Sequence, residues 1–126
     1  MTENRLVTRT EVGKAAKEVI SQERLEKALI FLAETDEQCA QLKANVARAE
    51  YSIKLARSAG FFASDEATVE ARKMDAERSE SMNRAEAAYA DAVVAFEKLK
   101  AKRETQVIII DVWRSLFSAR KAGVIT

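Results

Sequence analysis

The sequence has no proline and no histidine, a single cysteine and only three glycines. Each absence excludes something. An interior proline costs a helix roughly 3 kcal/mol, so a chain without one can run through very long helices. The three glycines, Gly13, Gly60 and Gly123, stand apart, so there is no glycine-rich loop to cradle phosphate. Without histidine, and with Cys39 alone, neither a Cys–His nor a Ser–His pair can be built, nor a nitrogen and thiolate set for zinc. No apolar run reaches the ~18 residues that span a bilayer, and the start, Met1-Thr2-Glu3-Asn4-Arg5, lacks the apolar stretch of a signal peptide. A non-enzymatic chain of the cytoplasm is expected, with no cofactor, metal, membrane or small-molecule substrate.

What is present is the composition of long helices. Of 126 residues, 33% are charged and 48% are apolar. That argues against a sandwich, a barrel or a disordered chain. From Leu25 to Gly60 one seven-residue period runs without slipping. Leu25, Leu32, Cys39, Val46, Ile53 and Gly60 form one row, and Ala28, Thr35, Leu42, Ala49 and Ala56 form the next. Together they make a seam along a rod of roughly 54 Å that must find a partner helix. Cys39 on this seam reads as a small buried hydrophobe.

The partner is expected from the same chain. Gly60, followed by Phe61 and Phe62, suits a left-handed helix end, and Ser64 with Asp65 and Glu66 suits the next start. A return helix should begin near Asp65, anchored early only by Val69, Met74 and Met82. It regains the spacing at Ala85, Tyr89, Ala92, Phe96 and Leu99. Arg103 and Gln106 then interrupt the seam. Residues 107–113, Val-Ile-Ile-Ile-Asp-Val-Trp, suit a buried strand or a helix. Helix is favoured, because a lone strand has no partner elsewhere in the chain. It places Ile109, Val112, Trp113, Leu116 and Phe117 on one broad face, with Gly123 as the stop.

The fold expected is therefore all-α, an antiparallel long-helix hairpin, coiled-coil-like, turning at residues 60–64. Residues 1–7 form a mobile arm and 9–20 a short helix opened by a Thr8–Glu11 capping box. Residues 21–126 form a single hairpin domain capped at Ser21. A second capping box, Thr35 to Gln38, suggests a kink or one-residue break near Thr35. The core and oligomer anchors are Leu32, Leu42, Val46, Ile53, Tyr89, Phe96, Trp113 and Phe117. Apolar area left over around 108–117 points to a homo-oligomer.

Charge is polarised along the chain. Residues 62–81 carry six acids against three bases, whereas 98–121 carry seven bases against Glu104 and Asp111. Within the basic block Arg114, Arg120 and Lys121 lie beside Trp113, Leu116 and Phe117, and Arg103 is the further candidate binding residue. Such a surface can hold phosphate with arginine and a base or apolar pocket with an aromatic ring. Equally, Trp113 can anchor the last helix on Leu29, Phe31 and Leu32, while the bases answer the helix dipole. Phe61 and Phe62 are a second candidate surface, as exposed anchors for a protein or as a plug closing the helical pair. Glu66 and Glu70, one turn apart, lack the further oxygens that a divalent ion needs.

The ending Ile109-Ile110-Asp111-Val112-Trp113-Arg114-Ser115-Leu116, then Ser118-Ala119-Arg120-Lys121-Ala122-Gly123-Val124-Ile125, resembles that of small helical proteins of tailed phages. The preceding helices, with Glu34-Thr35-Asp36, are similar in layout. The resemblance implies a setting among early genes for recombination and replication, without an assigned activity. Two functions follow as expectations. One is an accessory of phage DNA metabolism, bound through the basic-aromatic segment to single-stranded DNA or to an annealing or single-strand-binding protein on it. The other is a protein-interaction module, an inhibitor or adaptor of a host enzyme, that binds no nucleic acid.

Overall fold

A computed structural model describes residues 20–123; the expected arm, capping box and short helix over 1–19 lie outside them. About 90% of the described residues are helical, none is in a strand, and the first and third helices pack closely. The helices are α1 (Gln22–Ala63), α2 (Val69–Arg78) and α3 (Glu80–Lys121). The β-branched run at 107–112 is helix, the form expected when no other segment supplies a strand.

Ser21 starts α1, its hydroxyl accepting from the Arg24 amide at 3.0 Å. Every position on the two expected rows from Leu25 to Gly60 is buried or half-buried, so the heptad pattern marks the covered side of α1. The expected break near Thr35 is absent. The Thr35 hydroxyl donates to the Phe31 carbonyl at 2.7 Å instead of capping a new helix. A hydroxyl that can bond the preceding turn has no need to open another one.

Contacts group the chain into two compact units. One joins the segment up to Thr35 with the segment from Ala101 onward, and the other comprises Asp36–Lys100. In the first, Ala28 is fully buried and Ile20 nearly so. The half-buried side chains there include two that the apolar template treats as interruptions, Arg103 and Gln106.

The second unit corrects the expected turn. Gly60 does not end α1, which runs on to Ala63; among the described residues only Gly123 has a positive φ, of 80°. Gly60 is small for a different reason. A Cβ added there would lie 2.8 Å from the Ala76 Cα, because α2 comes back against this turn of α1. Ser64 is not the next cap either. Its hydroxyl donates to Asp75 Oδ2 at 2.7 Å, and Thr68 caps α2 by accepting from the Ala71 amide at 3.1 Å.

Nor is the return a single helix. Ser79 breaks it, donating from its hydroxyl to the Ala76 carbonyl at 2.8 Å and accepting there from the Met82 amide at 3.1 Å. One side chain thus closes α2 and opens α3. Of the three expected anchors only Met82 is buried, with 0% exposure, whereas Val69 and Met74 are more than half exposed. The buried residue of α2 is Ala76, next to Gly60, and a helix this thin can approach closely without large side chains.

Candidate functional site

The C-terminal turns of α3 carry the basic-aromatic block. Trp113, Phe117 and Lys121 follow one another at spacings of four, so they climb one face of the helix. The rings of Trp113 and Phe117 are stacked, with centroids 6.3 Å apart and planes within 14°. Lys121 Nζ lies 5.9 Å from the centre of the Phe117 ring, within reach of a cation–π contact. Trp113 is half-buried, and Phe117 keeps 49% of its surface exposed. Arg114 and Lys121 are exposed and Arg120 is half-buried. Arg120 and Lys121 occupy the last turn of α3, where cations answer the dipole. Gly123 then ends the helix in the left-handed conformation, its amide donating to the Arg120 carbonyl at 3.1 Å.

Arg103 stands apart from that face. Its Nη1 donates to the Leu32 carbonyl at 2.9 Å and to Thr35 Oγ1 at 2.6 Å. Three residues on, Gln106 Oε1 accepts from Arg24 Nη2 at 2.8 Å. These two pairs form a polar layer between α1 and α3 where apolar residues would be expected. The long arginine stem packs along the helix while its guanidinium reaches main-chain oxygen. Composition gives no hint that Arg24 and Gln106 are partners. Their signal is only positional, since Gln106 keeps the three-and-four spacing after Leu99 and Arg103.

The remaining anchors Leu32, Leu42, Val46, Ile53, Tyr89 and Phe96 are all half-buried, on the covered sides of α1 and α3. The phenylalanine pair divides. Phe61 is half-buried beneath Arg72, whose guanidinium carbon is 6.0 Å from the ring centre. Phe62 meets it edge to face, with centroids 5.5 Å apart, and is 79% exposed. Arg72 is steadied by donating from Nε to the Glu66 carbonyl at 2.8 Å. Beside them Arg57 and Glu77 form an ion pair at 2.6 Å, with both side chains about half exposed. An exposed pair of this kind contributes little to stability.

Among the described residues no group of three or more acidic, cysteine or histidine side chains converges to hold a metal. Glu70 instead lies 3.9 Å from Lys73 on the same helix. No described helix is long and apolar enough to cross a membrane. The arrangement offers surfaces for holding a partner: a cation-flanked aromatic stack on α3 and a bare phenylalanine in the last turn of α1. Compared with protein-family models, curated proteins and solved structures, the chain matches none.

Proposed function

We propose that the chain is a non-enzymatic accessory protein of DNA metabolism. In this reading it is a long antiparallel helical hairpin that self-associates and holds single-stranded DNA, or the protein coating it, on the last turns of α3. The antiparallel pairing is supported by order: Arg24 meets Gln106, whereas the later Leu32 and Thr35 meet the earlier Arg103. Self-association is supported by exposed Leu29, Ile30, Val107, Ile108 and Val112. The phage setting, and with it the host cytoplasm, rests on the C-terminal resemblance alone.

The observation that carries the function is the half-exposed Phe117, stacked on Trp113 and flanked by Lys121 and Arg114. A base can stack on such a ring while the cations meet its phosphates, and neither contact depends on sequence. Titrating a fluorescent oligothymidylate at rising salt tests it. Affinity should fall steeply with salt, and Arg114→Ala with Arg120→Ala should flatten the logarithmic slope by about 1.4, or ~0.7 for each phosphate left without its arginine. Arg103→Ala should leave that slope unchanged while lowering stability by about 1–3 kcal/mol, because its hydrogen bonds go to α1. Absent or salt-independent binding defeats the direct-DNA reading.

A second reading has its own observation, the 79% exposure of Phe62. In it the protein is an adaptor or inhibitor docking that ring into a pocket of another protein. Capture of a host protein that survives nuclease, and that Phe62→Ala abolishes, would favour it.

A further inference from the structure

The second half of α3 carries a second stripe on the side away from α1. Ala101, Thr105, Ile108, Val112, Ser115 and Ala119 are spaced four, three, four, three and four, the repeat of a helix-pairing seam. At 100° per residue, Ile108 and Val112 lie roughly 120–180° around the helix from Arg103 and Gln106, which face α1. All six are exposed except the half-buried Ala119, and Ile108 reaches 61%. None carries a charge. A stripe of this repeat is what a partner helix requires, and nothing among the described residues covers it.

Its order also specifies the occupant. Read from either end, the stripe runs from alanine through a small hydroxyl residue to a β-branched aliphatic one. An antiparallel second copy would place Ile108 against its Val112, Thr105 against its Ser115 and Ala101 against its Ala119. Each pairing occurs twice about a two-fold axis, which is the isologous condition. Antiparallel pairing also opposes the two helix dipoles.

We propose that two copies of this chain form a two-fold dimer through the 101–119 stripe of α3, its copies running antiparallel. The proposal rests on the self-association part of the functional reading above and names its surface. The dimer leaves Arg114 and Lys121 on the free side of each helix.

Sedimentation equilibrium of the full chain should show a dimer. Ile108→Glu should weaken it by about a hundredfold, since each copy would bury an unpaired carboxylate. Helicity should be unchanged, because the residue is exposed in the single chain. In a Cys39→Ala background, mixing Thr105→Cys protein with Ser115→Cys protein should give the mixed disulfide in excess over either homodisulfide. A wild-type monomer would overturn both the interface and the self-association reading. A dimer indifferent to Ile108→Glu would overturn the stripe alone, and dominant homodisulfides would overturn the antiparallel order.

Discussion

At the scale of single residues, the two polar interruptions and the central glycine decide how the helices meet. Gly60 sits inside α1 with ordinary helical geometry, so only the nearness of Ala76 explains it. Alanine there would raise intrinsic helix propensity by about 1 kcal/mol. Its methyl would also fall 2.8 Å from a backbone carbon, and the two segments would have to separate. Overpacking of this sort costs about 1–3 kcal/mol. Gly60→Ala should therefore lower the urea midpoint despite its better propensity, and Gly60→Leu should lower it further. A rise in the midpoint for alanine would mean that α2 yields freely. From sequence alone, a glycine that ends a helix and one that admits a neighbour look alike, which is why the spacing places the turn too early. Arg103 poses a similar problem. An apolar template scores it as a gap, while its actual partners are a carbonyl and a hydroxyl that no spacing rule reveals.

At the scale of elements, the long helices are legible in the sequence and the short one is not. A seven-residue period sustained through eleven seam positions leaves one face to bury, and the structure covers that face throughout. The 69–78 helix shows no such repeat; it is mostly polar and buries only Ala76. Its end escapes a sequence reading because Ser79 is followed at the third position by Met82, so the glutamate that completes a capping box is lacking. The cap exists nonetheless, through a single serine oxygen that serves both helices. Ser79→Ala removes the acceptor for the Met82 amide and should cost about 1 kcal/mol. Ser79→Asp should recover most of it, since aspartate accepts equally well at that position. Thermal unfolding by circular dichroism would report both, and equal loss for alanine and aspartate would show that the hydroxyl donor to Ala76 matters more. The basic-aromatic block is legible as residues but not as geometry: the sequence offers Trp113 as either core or surface, and the structure half-buries it while leaving Phe117 open beside it.

At the scale of the whole molecule, the balance of covered and uncovered apolar groups governs behaviour. Among the described residues five hydrophobic side chains are buried, while leucines, isoleucines and valines stand among the large ones left exposed. Of the described residues only Met82 is both large and fully covered. Burying a large aliphatic side chain contributes about 1.5–3 kcal/mol, so the isolated chain draws modest stability from its interior. Association that covers further apolar area then adds to stability by mass action. Each tenfold rise in concentration should add about 1.4 kcal/mol per mole of dimer, equivalent to roughly 3 °C in Tm when shared over two chains of this size. Scanning calorimetry at several dilutions of wild type should show that rise, while Ile108→Glu should melt lower and show it only at about a hundredfold higher concentration. A wild-type Tm independent of dilution would mean that the single chain is already sufficient, and its exposed isoleucines and valines would then need a different partner to explain them.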